Sequence, residues 1–210
     1  MNDPSGNALE IRALQCVRGD AVLFSGLDAA VNAGEILQID GANGSGKTSL
    51  LRILSGLARP ESGDVLWHGR SVFALGPEYH MHLHYVGHGN AIKLDLTVWE
   101  NLQFMRDLGV VPGPDLEEVL ARLRLRAHRH VPARRLSAGQ RRRLALARLL
   151  VSPSMLWILD EPFTSLDADG RALVAELVGR HCRDGGMTAV ATHQPLAPAS
   201  AIPTHGINLS

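Results

Sequence analysis

Charge of one sign is what this chain most clearly does without. Lys+Arg and Asp+Glu both number 21 in its 210 residues, so no global field draws it to nucleic acid or to an acidic membrane surface. Any charged patch has to be argued locally. Lysine is scarce, at Lys47 and Lys93 alone. Cysteine is equally scarce: Cys16 and Cys182 lie far apart with no C-x-x-C pairing, which suits a reducing compartment and thiols packed as small hydrophobes. No stretch approaches the roughly 20 apolar residues that a membrane span needs. The opening MNDPSGNALEIR lacks the basic start and apolar run of a signal peptide, so the expectation is a cytosolic protein. There is no internal repeat. What remains, 45% hydrophobic and 20% charged, is enough for one full core with a smaller subdomain attached.

The most informative stretch is residues 36–57, ILQIDGANGSGKTSLLRILSGL, a short apolar strand, a glycine-rich turn and an amphipathic helix. Its turn, Gly41-Ala42-Asn43-Gly44-Ser45-Gly46-Lys47-Thr48, has the spacing of a phosphate-binding loop. Gly41, Gly44 and Gly46 are free to take backbone angles that side chains disfavour, so successive N–H groups can curl into an electropositive nest. Lys47 would reach the β- and γ-phosphates, Thr48 would offer its hydroxyl to Mg²⁺, and the helix N-terminus would face the same anions. Leu50, Ile53, Leu54 and Leu57 fall at helical spacing and predict the core face of that helix.

Around this unit the chain alternates between strand and helix signals. Residues 8–14 and 20–27 predict two strands forming an antiparallel edge before the turn at Asn32-Ala33-Gly34. Residues 64–68 (DVLWH) read as another strand, and Tyr85-Val86-Gly87 as a short central one. His80, His82 and His84 alternate. On an extended strand they would share one face, and of the two readings, a metal site or a partly exposed histidine-bearing strand, the second is expected because no carboxylate or cysteine joins them. From Thr97 the signals turn helical: Thr97 with Glu100 predicts a capping box with Gly109 at the C-cap, and Asp115 with Glu118 predicts a second box. Residues 155–160 (MLWILD) read as a buried strand, 171–181 as a helix and 187–192 (MTAVAT) as a further strand. Gln194 to Ser210, with three prolines and no Lys, Arg, Asp or Glu, is expected to run extended or end loosely.

Three constellations join the phosphate loop. Asp160 and Glu161 stand at the C-terminal end of an apolar strand, where a ligand crevice lies in an open parallel sheet. Asp160 would hold Mg²⁺, and Glu161 would polarise the water that attacks a γ-phosphate. Ser137 with Gln140 predicts a capping box whose glycine-bearing start, at Gly139, leaves N–H groups ready for a phosphate from another molecule. His193 follows a strand directly and would reach the γ-phosphate from a second strand end.

Taken in order, these residues resemble the ATP-binding subunits of ABC transporters: Walker A (Gly41 to Thr48), a signature sequence (Leu136 to Gln140), Walker B with its glutamate (Leu156 to Glu161), a D-loop (Ser165-Leu166-Asp167) and an H-loop (His193). The resemblance covers nearly the whole chain. It implies a P-loop NTPase (ABC ATPase) α/β core with a mostly parallel sheet, an N-terminal antiparallel β edge and an inserted α-helical subdomain. Residues 1–210 would form a single ATP-binding domain, with the core in 1–90 and 151–210 and the helical subdomain in about 91–150. It further implies an Mg²⁺-dependent ATPase working as a head-to-tail homodimer, in which Ser137 to Gln140 of one copy, Ser137, Gly139 and Gln140 among them, complete the ATP site of the other; Asp167 of the D-loop is counted among the nucleotide-binding residues. Three departures stand out: Ala138 replaces a signature glycine, His88 occupies the usual Q-loop glutamine position, and Val17 falls near where an aromatic often stacks on adenine.

Gly87-His88, Ile92-Lys93, Leu96-Thr97 and Glu100-Asn101-Leu102, together with Ser137-Ala138-Gly139-Gln140, are similar to the cytochrome c biogenesis ATP-binding subunits, the haem exporter ATPases. That narrower resemblance implies peripheral attachment at the cytoplasmic face of the bacterial inner membrane, on integral subunits of a haem exporter and cytochrome c maturation complex (CcmB, CcmC and CcmD). Alternatives are another small exporter or a soluble ABC ATPase. Ten arginines lie between Arg122 and Arg148. They would serve either an acidic partner or phospholipid headgroups, or, as is expected for most of them, form the solvated faces of the helical subdomain with glutamates and aspartates nearby offsetting them.

Overall fold

The computed structural model describes residues 8–109, 113–193 and 201–209. The first seven residues of the N-terminal stretch, Pro112 and the 194–200 part of the terminal segment lie outside the described residues.

The chain opens with a hairpin, β1 (Leu9–Arg18) and β2 (Ala21–Val31), followed by β3 (Ile36–Gly41) and α1 (Lys47–Leu54). Next come β4 (Ser62–Trp67), β5 (Arg70–Ser71), α2 (Val72–Leu75), α3 (Pro77–His80) and β6 (Leu83–Val86). The helical stretch holds α4 (Val98–Asp107), α5 (Leu116–Arg122), two 3₁₀ turns (Arg126–His128 and Ala133–Arg135), α6 (Ala138–Leu146) and α7 (Arg148–Val151). The chain closes with β7 (Leu156–Asp160), α8 (Ala168–Arg183), β8 (Met187–Ala191) and β9 (Thr204–Leu209).

Two sheets result. One is antiparallel, in the order β2-β1-β4-β5, and the other is parallel throughout, in the order β6-β7-β8-β3-β9. Every residue of β7 and β8 is buried, which is why both read as unbroken apolar runs rather than alternating ones. The period of two still decides which face each residue serves. Trp157 and Leu159 join the core formed with α4 to α8, while Leu156 and Ile158 join the core formed with α1 and the antiparallel sheet.

Several expectations are corrected. The histidine stretch is no single strand: His80 ends α3, His82 lies in a turn and only His84 is on β6. Their partners differ, because His80 Nε2 lies 3.1 Å from Ser55 O, His84 Nε2 lies 3.0 Å from Ser152 O, and His82 stacks on Trp67. Among the described residues no three His, Cys, Asp or Glu side chains group as a metal site. β6 is an edge strand, not a central one. Leu57 is 53% exposed, because α1 ends at Leu54 and Gly56 turns the chain with φ +71°. Leu51 takes its place in the core. Asp115 caps α5 by accepting from the Glu117 N–H, one residue earlier than a capping box would have it. Of the two alternatives for the terminal segment, the extended one holds for Thr204–Leu209, which pairs in parallel with β3. Cys16 and Cys182 are buried free thiols, and no described helix is long and apolar enough to cross a membrane.

One core contact makes stability depend on pH. His181 on α8 stacks flat on Trp157, with ring centroids 3.9 Å apart, and burial pushes its pKa down to about 4. Burial also lowers that of His84. The unfolded chain takes up a proton at His181 below about pH 6.5, while the folded chain resists it until about pH 4, so acidification across that window favours unfolding. His181→Phe keeps an aromatic ring against Trp157 and removes the proton site. Its urea midpoint should fall less than the parent's between pH 6.5 and pH 4.5, and equal slopes would refute the assignment.

Candidate functional site

The order β7-β8-β3, all parallel, sets three C-terminal strand ends side by side. Ala191 of β8 is in register with Ile39 of β3 on one flank and Asp160 of β7 on the other. A phosphate loop leaving β3, a carboxylate pair leaving β7 and a histidine leaving β8 must therefore share one edge, the crevice position of an open parallel sheet.

The loop has the backbone its glycines allow. Gly41, Gly44 and Gly46 have φ of +147°, +88° and +101°. At Gly41 a Cβ would come within 2.4 Å of Leu209 O and 2.6 Å of Ser45 Oγ, so the seat excludes any side chain. Ser45 Oγ is buried with no hydrogen-bond partner. Gly46 caps α1 from a left-handed conformation and offers no side-chain acceptor to the first N–H groups of the helix. An orphaned hydroxyl, open N–H groups and a side-chain-free cradle fit an oxyanion with several acceptor oxygens. A Cβ at Gly46 would press on Leu23 and Phe24 of β2, so the hairpin braces the loop. At the tip of that hairpin Val17 pairs with Val22, and both are exposed.

Around this cradle the ionic side chains converge. Lys47 is buried, and its ammonium donates to Gly41 O (2.6 Å) and Ala42 O (3.0 Å) and lies 3.1 Å from His193 Nε2. Thr48 Oγ1 donates to Asp160 Oδ2 at 2.9 Å, a donor set of oxygens that suits Mg²⁺. Glu161 Oε1 lies 3.6 Å from His193 Nε2. Glu161 also has φ +47°, a left-handed conformation that a non-glycine residue keeps only when its surroundings hold it. With Lys47 as donor, His193 Nε2 acts as acceptor, and a phosphate that drew the ammonium away would release that nitrogen.

The structure thus brings together Gly41 to Thr48, Asp160, Glu161 and His193. Ser137, Gly139 and Gln140 form a different group at the start of α6. There Ser137 Oγ accepts from the Gln140 N–H at 3.1 Å, and Gln140 Oε1 accepts from the Ser137 N–H at 2.9 Å, a complete capping box. Gln140 Nε2 also lies 2.9 Å from His128 Nε2. Gly139 faces Ser165 of the D-loop, whose carbonyl a Cβ would approach to 3.0 Å. Asp167 caps α8 by accepting from the Gly170 N–H at 2.8 Å, and His88 is exposed on the loop after β6.

Arg142 departs from the solvated face expected for most of the ten arginines. Four of the ten are exposed (Arg124, Arg126, Arg134 and Arg135), but Arg142 is only 2% exposed. The signal was present: Arg142 precedes Leu146, Leu149 and Leu150 at core-facing helical spacing. Several of the others do pair with acids, as Arg124 with Asp169, Arg129 with Glu117 and Arg134 with Asp95.

Fold and site together define an ATP-hydrolysing cassette of the kind that powers transporters, and the chain belongs to the ABC transporter family, whose model matches residues 24–164. Within that family it is similar to the cytochrome c biogenesis ATP-binding export proteins CcmA. The Escherichia coli O6:H1 protein is 46% identical over 193 residues, covering 92% of each chain, and the Methylococcus capsulatus protein is 47% identical over 185 residues, covering 87% of this chain and 89% of its own. Among solved structures, the ATP-binding subunit of an ABC transporter superposes with a TM-score of 0.81 at 22% identity, covering 96% of this chain and 86% of its own. A dimeric ATP-binding cassette in a post-hydrolysis state, bound to ADP and phosphate, gives 0.77 at 22% identity, covering 91% and 90%. At that identity the likeness concerns the fold.

Proposed function

We propose that this chain is the ATP-hydrolysing subunit of an exporter that serves cytochrome c biogenesis, with haem as the cargo its membrane partners handle. The observation that carries this reading is the identity of 46% to a CcmA protein across 92% of both chains. ATP places its phosphates in the loop Gly41 to Thr48, with Lys47 against the β- and γ-oxygens. Thr48 and Asp160 hold Mg²⁺, which when bound offsets charge on those oxygens. Glu161 orients and deprotonates the attacking water, and His193 contacts the γ-phosphate. Adenine rests against the exposed Val17–Val22 pair near the tip of the β1–β2 hairpin. Residues 91–150 act as a helical subdomain set into a core of 1–90 and 151–210.

A second copy supplies Ser137, Gly139 and Gln140 across the ATP, and Asp167 of the D-loop belongs to the nucleotide-binding residues. Ser137 and Ala138 are exposed, which leaves the start of α6 accessible to such a partner. The integral subunits CcmB, CcmC and CcmD anchor the ATPase at the cytoplasmic face of the bacterial inner membrane. A groove of about 360 Å³ between α3, β6 and α4, lined by Met81, His84, Phe104, Met105 and Leu108, suits a segment of such a partner. Met81, Phe104 and Leu108 are exposed large apolar residues in it, a patch that marks a protein contact.

Deleting the gene should remove c-type cytochromes while other ABC-dependent transport continues. The wild-type chain should restore them, and Glu161→Gln should not. Normal c-type cytochrome levels in the deletion strain would end this reading and leave the ATPase assignment intact.

A further inference from the structure

Arg142 sits inside the protein, 2% exposed, and among the described residues its guanidinium meets no carboxylate within hydrogen-bond distance. Every acceptor it uses is an uncharged oxygen. Nη2 donates to Asp160 O and Glu161 O, both at 2.9 Å, and Nε to Pro162 O at 3.3 Å. Nη1 donates to Gly87 O at 3.0 Å and to Asn90 Oδ1 at 3.4 Å. All five guanidinium N–H groups are thereby matched to acceptors. The charge is offset at longer range by Asp160 and Glu161.

The placement of these acceptors is specific. Three are consecutive backbone carbonyls at the end of β7, where Glu161 adopts φ +47°. On its other side the Glu161 N–H donates to Ala191 O of β8 at 2.9 Å. The peptide groups flanking Glu161 are therefore held from two directions, by a strand and by Arg142. The remaining acceptors, Gly87 O and Asn90 Oδ1, bracket His88 on the loop after β6. One side chain of α6 thus joins the signature helix, the carboxylate-bearing turn and the His88 loop.

We propose that Arg142 is a positioning residue for hydrolysis: its planar fork holds residues 160–162 so that the Glu161 carboxylate is aimed at the attacking water, and it transmits displacements of the Gly87–Asn90 loop to that carboxylate. This rests on Glu161 acting as the base. Lysine at 142 keeps the charge and most of the stem but presents a single nitrogen, which cannot span acceptors on both loops. The loop Gly41 to Thr48, which takes the phosphates, is not among the groups that Arg142 holds, so binding should be spared while the chemical step suffers.

The test uses the full chain assembled with its membrane subunits, comparing the parent, Arg142→Lys, Glu161→Gln and the double variant. Rates are normalised to the nucleotide-binding fraction, measured with a fluorescent ATP analogue. Arg142→Lys should lower kcat by about 10- to 100-fold, the scale expected when a reacting group is displaced by about 1 Å, while KM for ATP stays within about twofold. Adding Arg142→Lys to Glu161→Gln should lower the rate no further, because both act through one carboxylate. A kcat within twofold of the parent, a parallel loss of ATP binding, or multiplicative losses in the double variant would each overturn the proposal. Arg142→Gln, which shortens the side chain and carries no charge, is measured alongside and should show the same split of kcat from KM. If neither substitution gives protein that binds the analogue, Arg142 is needed for the fold and the proposal is wrong. Full turnover in Glu161→Gln would instead remove the base itself, a separate failure.

Discussion

Glu161→Gln should leave ATP bound and cut its turnover by about 10²- to 10⁴-fold, the usual contribution of a positioned general base. Glutamine fills the same volume and keeps the backbone contacts of residue 161, whose N–H donates to Ala191 O and whose carbonyl accepts from Arg142. What it loses is the capacity to accept a proton from water. It also removes a negative charge 3.6 Å from His193 Nε2, beside the cradle built for phosphate. ATP affinity should therefore hold or rise, and a nucleotide-bound dimer should accumulate. Single-turnover phosphate release separates the chemical step from product release, and size exclusion with ATP and Mg²⁺ reports the dimer. Phosphate release within tenfold of the parent would exclude Glu161 as the base.

This site was legible in the sequence because its parts are local. The glycines of the phosphate loop, Lys47 and Thr48 sit within eight consecutive residues, and a loop between strand and helix needs no distant partner to take its shape. Asp160 and Glu161 were legible because β7 is buried on both faces, so two acids at the end of an apolar run could only mark the edge of the sheet. Their closeness to His193 follows from parallel pairing of β7, β8 and β3.

What could not be read depends on contacts distant in sequence. α2 and α3 have four residues each, too few for a helical period to emerge, and His80 and Tyr79 gain their positions from Ser55 O and Leu54 O. β9 hid because Pro203 and Gly206 break the alternation that Ile207 and Leu209 carry. Its order comes from pairing with β3 some 170 residues earlier. Arg142 was hidden by its neighbours Arg141 and Arg143: a run of three arginines reads as a solvated face, and only the helical stripe through Leu146 and Leu149 betrays the inward one. In each case composition was a poorer guide than the position of the residue on its element.

Lys47→Ala should abolish both tight ATP binding and hydrolysis, and the reason is that the ammonium serves two sets of oxygens. Within the loop it donates to Gly41 O and Ala42 O, which ties the two ends of the turn together. Towards the ligand it would supply positive charge to the β- and γ-phosphates. Alanine deletes both functions, so the effect should exceed the loss of one charge-assisted hydrogen bond, at about 3–4 kcal/mol or 10²- to 10³-fold. Lys47→Arg tests which function dominates. It keeps the charge, but its planar fork is too broad for a seat where one nitrogen lies 2.6 Å from Gly41 O, and so it too should fail. Lys93 provides the control: the only other lysine in the chain lies over the Phe104 ring, 5.3 Å from its centroid, and Lys93→Ala should bind ATP as the parent does. Equilibrium binding of a fluorescent ATP analogue, read beside phosphate release, distinguishes the two site variants, because Glu161→Gln retains the nucleotide and Lys47→Ala does not. Parental affinity in Lys47→Ala would mean that the backbone nest alone holds the triphosphate.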